Sequence, residues 1–320
     1  MKNAFKSEFK TLQYIIKNSK RILLFAHSRP DGDTAGSVLA MKEYLQNNGK
    51  HADIACLDPF PDYLFEIVQG EFCYPDHLDL KSYDAVIACD SVERGFEKIK
   101  KLLSLEQVSV IIDHHPDITL KADLRIIDDQ YSSVCEIIYK FLISVDAKIN
   151  LKIANCLLIG IISDTGNLQH SNTTADVMDI ASKLIKKGAS VSKIVNSIFS
   201  NKKIATLKLW GKAFEKARIN PKNKMIATVI TQKDIEQCNA STDDIAQIAS
   251  ILNTVPGTSF SLVLSQRDNK TIKGSLRSEQ YKGVDVSEIA HLFGGGGHKL
   301  SSGFEIKGTI VENEDGWKII

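Results

Sequence analysis

Apolar runs without alternation mark the first half of the chain, at 21–27 (RILLFAH), 82–90 (SYDAVIACD) and 108–115 (VSVIIDHH). Such runs suit strands buried on both faces of a parallel sheet. The stretch 51–58 (HADIACLD) reads as a further strand, and DLRIIDD is a shorter apolar run. Between them the apolar spacing turns helical, in AGSVLAMKEYLQNNG, which Gly49 stops, in FEKIKKLLSL and in SSVCEIIYKFLISV. The length of 152–166 (KIANCLLIGIISDTG) predicts a buried helix ending just before Asp164, and ADVMDIASKLIKKGA predicts another that stops at Gly188. The expected architecture is an α/β fold built on a mainly parallel sheet.

From about residue 188 the texture changes. One or two connecting helices lead to the strand-like segments MIATVIT, SFSLVLSQR, TIKGSLRS and SGFEIKG, separated by turn chemistry. A chain of 320 residues exceeds what one core usually supports. The predicted division is a first domain at 1–188, a helical linker at 189–206 and a smaller α/β domain at 207–320.

Charge and cysteine usage narrow the partners. Lys and Arg number 40 against 39 Asp and Glu, a net +1, so no bulk positive field exists to hold long nucleic acid. A nucleic-acid substrate is expected to be short. The 6 cysteines never form CxxC and sit mostly among apolar neighbours, which fits buried thiols in a reducing compartment. No apolar stretch is long enough for a membrane span and the opening 20 residues read as a charged amphipathic helix, so a cytoplasmic protein with no membrane partner is expected. A homodimer is compatible with these features.

The chemistry-bearing residues share one placement. His27, Asp31 and Asp33 follow the first strand, Asp90 ends the third, Asp113, His114 and His115 end the fourth, and Asp164 follows the buried segment. Carboxyl ends of parallel strands open on one edge, so these distant residues can converge there. So many acids and imidazoles in one crevice need a counter-charge, which metal ions supply. The imidazole and carboxylate set, without thiolate, suits Mn²⁺, with Mg²⁺ or Co²⁺ as substitutes. In a working arrangement His27 and Asp31 hold one ion, Asp33, His114 and Asp164 hold a second, and Asp90 bridges them, with Gly32 giving freedom between Asp31 and Asp33. Two such ions clamp a phosphoryl oxygen and activate water. Asp113 is expected to orient an imidazole, and His115 to contact phosphate or protonate a leaving group, so that Asp90, Asp113, His114 and His115 form the catalytic group. In the second domain GSLRS and FGGGGHKLSSG offer Arg277, Ser278, Gly295, Gly296, Gly297 and His298 to an anion, the glycines as a flexible loop.

HSRPDGDTAGS, VIACDS, VIIDHHPD and GIISDTG resemble the four motifs of the DHH phosphoesterases, and GSLRS with FGGGGHKLSSGF resembles the DHHA1 substrate-binding domain. Within that superfamily the compact length is similar to the bifunctional oligoribonuclease and 3'-phosphoadenosine 5'-phosphate phosphatase group, the nanoRNases. The resemblance implies a manganese-dependent catalytic domain with the smaller domain across a cleft. It implies hydrolysis of short 5'-phosphorylated strands to nucleoside monophosphates, with the metal set and phosphate contacts on the residues named above. GNLQH after Asp164 and KLSSG after His298 depart from the common pattern and bear on base preference. The alternatives are a pApA-specific phosphodiesterase of cyclic-di-AMP turnover, a single-strand exonuclease, a manganese pyrophosphatase and a non-enzymatic nucleotide sensor.

Overall fold

The computed structural model describes residues 5–320 except 66, 68, 69, 117, 201, 202, 246, 269, 314 and 315. The chain divides into two compact units, Met1–Asn201 and Lys202–Ile320. The division falls inside the expected 189–206 linker, where residues 201 and 202 lie outside the described ones.

The first unit is built on a five-stranded sheet in the order β2-β1-β3-β4-β5. Its strands are β1 (Arg21–Ala26), β2 (His51–Cys56), β3 (Ala85–Cys89), β4 (Val108–Asp113) and β5 (Leu124–Ile127). Every pairing is parallel. Its helices are α1 (Lys6–Asn18), α2 (Gly32–Asn47), α3 (Asp62–Phe65), α4 (Phe96–Lys100), α5 (Val134–Ser144), α6 (Leu151–Asp164), α7 (Ala175–Lys186) and α8 (Val191–Val195). Alternate residues of one strand enter two separate cores: Ile22, Leu24 and Ala26 pack with α2, α5 and α6, while Leu23 and Phe25 pack with Phe96 and Ile99. Burial on both faces is why these strands read as unbroken apolar runs.

Helix α2 lies unusually close to α6. A Cβ at Gly36 would stand 2.4 Å from the Cys156 carbonyl oxygen, and one at Gly160 would stand 2.3 Å from Cys135 Sγ and 2.6 Å from Asp33 Oδ1. Small residues here let two backbones meet, which brings the start of α2 and the end of α6 together. Gly32 belongs to the same contact, since its Cβ would meet Ser163 at 2.6 Å. It is the first residue of α2 rather than a free joint between Asp31 and Asp33, which corrects the expectation from spacing.

The second unit carries a six-stranded sheet in the order β10-β11-β9-β8-β7-β6 and a two-stranded ribbon. The sheet comprises β6 (Arg218–Ile219), β7 (Met225–Ile230), β8 (Phe260–Asp268), β9 (Thr271–Arg277), β10 (Gly296–His298) and β11 (Ser301–Lys307), and the ribbon β12 (Ile310–Asn313) and β13 (Gly316–Ile319). Among the described residues of this unit only β7 and β8 pair in parallel. Helices α9 (Ile204–Glu215), α10 (Gln232–Gln237), α11 (Ile248–Leu252) and α12 (Val286–His291) complete it. The glycine run is not the flexible loop expected from composition. Gly296 and His298 pair with Gly303 and Ser301 in a hairpin, and Gly295 donates its N–H to the Ala290 carbonyl. Gly297, at φ 133°, and Gly295, whose Cβ would lie 2.2 Å from the Gly303 carbonyl oxygen, are needed for the backbones to approach.

Candidate active site

The parallel sheet delivers its chemistry at the carboxyl ends of its strands. His27 follows β1, Asp90 follows β3, Asp113 ends β4 and Asp164 ends α6. Asp31 caps α2, accepting from the backbone N–H groups of Asp33 and Thr34. Asp33 points the other way and accepts from the N–H groups of Val134 (2.7 Å) and Cys135 (2.9 Å) at the start of α5. The cap and the first turn of one helix therefore hand two carboxylates to different neighbours. Asp90 and Ser91 both adopt left-handed backbone, at φ 62° and 39°. Strained backbone of this kind is held only where the surroundings fix it. It turns the chain sharply after β3.

Within the first unit three groups of described donor atoms lie within 4.8 Å of one another: His27, Asp31 and Asp90; Asp33, Asp90 and His114; and Asp90, Asp113 and His115, of which the first two hold the residues expected as ligands. Asp90 belongs to both. Its Oδ2 lies 3.4 Å from His27 Nε2, while its Oδ1 lies 3.9 Å from His114 Nε2. Asp164 Oδ2 stands 3.2 Å from the same His114 nitrogen. The structure thus brings together all six residues proposed from spacing as metal ligands.

The imidazoles are presented as ligands are. His27 Nδ1 is 2.6 Å from the Ser28 carbonyl oxygen and His114 Nδ1 is 3.3 Å from that of Tyr131. A carbonyl only accepts, so each Nδ1 carries a proton and, in the neutral ring, each Nε2 turns a lone pair towards the carboxylates. His115 Nδ1 lies 2.8 Å from Asp113 Oδ1, and Asp113 also accepts from the N–H groups of Val92, His114 and His115. Asp113 holds the turn and the His115 ring, whereas the Nδ1 atoms of His27 and His114 are held by backbone carbonyls.

Charge inside this pocket is unbalanced. Burial, with the charges of Asp164 and Asp90, pushes the Asp33 carboxyl well above the usual carboxylate range. Burial also raises Asp164, to about 6, against the pull of His114. Burial opposes a charged His114, but the hydrogen bond and charge of Asp164, with Asp33 and Asp90, outweigh it and raise the ring to about 10. Asp90 moves oppositely, since the three histidines overcome its burial and hold it far below the usual range. The pocket retains protons to neutralise its acids. Divalent cations would replace those protons, and a carboxylate and imidazole donor set on two adjoining groups fits them.

Residues 21–161 match the DHH family, N-terminal domain, and residues 222–315 match the DHHA1 domain. The chain belongs to the DHH/DHHA1 phosphoesterase family. A bifunctional oligoribonuclease and PAP phosphatase, NrnA, of Bacillus subtilis is 28% identical over 89% of both chains. A probable NrnA of Streptococcus mutans is 28% identical over 96% of both. The crystal structure of an exopolyphosphatase-related protein from Bacteroides fragilis shares the fold at TM-score 0.88 and 21% identity, over 97% of this chain and 94% of that one.

The DHHA1 unit presents Arg277 at the end of β9, half-buried, with one hydrogen bond to the Leu276 carbonyl oxygen at 2.7 Å. Burial lowers the affinity of its guanidinium for the proton, and no described carboxylate forms an ion pair with it. Ser278 is buried and its hydroxyl donates to the Ser259 carbonyl oxygen at 3.3 Å, so that group is engaged within the sheet. Gly295, Gly296, Gly297 and His298 line the hairpin described above. The spacing argument missed Thr34, Ser91, Tyr131 and Gly160. Thr34 alone had a signal, as a hydroxyl three residues after the capping Asp31.

Proposed function

We propose that the protein is a two-ion, manganese-dependent phosphoesterase that hydrolyses very short 5'-phosphorylated oligonucleotides to nucleoside monophosphates, and 3'-phosphoadenosine 5'-phosphate to AMP. One observation carries the reading: the carboxylate of Asp90 joins the donor group of His27 and Asp31 to that of Asp33 and His114. The names of the NrnA relatives support the substrate class.

When bound, two divalent ions would polarise the phosphoryl group and lower the pKa of the attacking water. His27, Asp31 and Asp90 would hold one ion, and Asp33, Asp90, His114 and Asp164 the other. The chain's own part is positioning and proton transfer. Asp113 holds the proton on His115 Nδ1 and sets the plane of the ring, so that a proton on Nε2 would be aimed at the leaving oxygen. Arg277 would grip the terminal phosphate, because a desolvated guanidinium without a carboxylate partner favours an anion. The near-zero net charge supports short substrates over long strands.

The test is a time course with Mn²⁺ on a 5'-phosphorylated dinucleotide, a five-nucleotide RNA, a long single strand, 3'-phosphoadenosine 5'-phosphate and pyrophosphate at equal concentrations. Fast turnover of the dinucleotide and of 3'-phosphoadenosine 5'-phosphate, with little on the long strand, is expected. Turnover of pyrophosphate alone, or of nothing, would overturn the reading.

A further inference from the structure

One buried hydroxyl sits where the first donor group converges. Thr34 Oγ1 lies 2.6 Å from His27 Nε2, 2.5 Å from Asp90 Oδ2 and 3.1 Å from Asp31 Oδ1, in a side chain with no exposed surface. Those three atoms come from β1's end, β3's end and the cap of α2. Thr34 Oγ1 thus stands within 3.1 Å of a polar atom of all three residues, with one proton to give to one of them at a time.

The geometry also sorts the oxygens of Asp90. With Oδ2 bonded to the Thr34 hydroxyl, Oδ1 is left towards His114 and His115, at 3.9 and 3.6 Å. A carboxylate that must serve two ions has to hold its plane, and with the His27 Nε2 lone pair given to an ion the Thr34 proton would go to Asp90 Oδ2 and resist rotation about the Cβ–Cγ bond. Partners of this kind, next to ligands but outside the coordination set, commonly set metal affinity.

We propose that Thr34 is a positioning residue that gathers His27, Asp31 and Asp90 into one ion site and fixes which oxygen of Asp90 each ion receives. The proposal rests on the two-ion reading above. It assigns Thr34 no contact with substrate, so its effect belongs to metal affinity and to the spacing of the ions.

The experiment is calorimetric titration of the metal-free full chain with MnCl₂, together with electron paramagnetic resonance of the loaded protein. The variants are Thr34→Val, which keeps the volume, Thr34→Ala, which removes any clash, and Thr34→Ser, which keeps the hydroxyl. In the wild type two Mn²⁺ ions should bind and give an exchange-coupled spectrum. Thr34→Val and Thr34→Ala should each weaken one of the two ions roughly ten- to a hundredfold and reduce the coupled signal, while Thr34→Ser stays near wild type. If the alanine variant does not fold, the valine variant carries the same expectation. Wild-type affinity and coupling in the valine variant would overturn the proposal, as would a serine variant no better than alanine, which would assign the effect to the methyl group. A wild-type chain that binds no Mn²⁺ would instead sink the two-ion reading itself.

Discussion

At the scale of single residues, Asp90, Asp113 and Arg277 should fail in three distinguishable ways. Asp90→Asn removes the charge common to both donor groups, so Mn²⁺ binding at both should weaken together and turnover should drop by about a thousandfold or more; near-normal activity at limiting Mn²⁺ would contradict the shared role. Asp113 holds the ring of His115 instead. Asp113→Ala, which removes the acceptor on His115 Nδ1, should lower kcat more than it lowers Mn²⁺ affinity, read by turnover and by metal titration of the same preparation. Arg277→Ala should raise KM for phosphorylated substrates more than it lowers kcat, the mark of a group that binds ground state and transition state alike.

At the scale of elements, the contact between α2 and α6 sets the precision of the centre. Gly160→Ala would press a methyl group into Cys135 Sγ and Asp33 Oδ1, and should cost about 1–3 kcal/mol in urea unfolding while weakening Mn²⁺ binding. Gly211→Ala, in α9 with nothing near its Cβ, should be neutral or stabilising by about 1 kcal/mol. Equal effects at the two positions would refute the packing argument. The same contrast explains what the sequence revealed. Strands β1 to β4, α6 and the strands β7, β8, β9 and β11 were legible because burial leaves an unbroken or alternating apolar signature. So were the metal-ligating candidates, because each follows such a run. The β10 hairpin was not, since glycines carry no pattern and its pairing with β11 is made by backbone alone. Gly160 and the carbonyls of Ser28 and Tyr131 were hidden for the same reason: their contribution is a close approach or a main-chain oxygen.

At the scale of the whole molecule, the pocket ties folding stability to pH and to metal. His114 is raised from 6.5 to about 10 in the folded chain, so its contribution is full below about pH 6.5 and is lost as pH rises through about 10. The raised carboxyls of Asp33 and Asp164 act in the same direction at lower pH, and the depressed Asp90 acts oppositely, losing its contribution as pH falls. The melting temperature of the metal-free chain should therefore decline between pH 6.5 and 9.5, and saturating Mn²⁺ should remove most of that decline by displacing the protons. An identical decline with and without Mn²⁺ would argue against the ions entering this pocket. No described helix is long and apolar enough to cross a membrane.

The left-handed backbone at Asp90 and Ser91 separates durability from turnover. Glycine would relax the turn at Ser91, a gain of about 1 kcal/mol, and would also free the peptide that aims the neighbouring carboxylate. Directed evolution that rewards heat resistance alone should reach this position early and return sturdier proteins that are poorer catalysts.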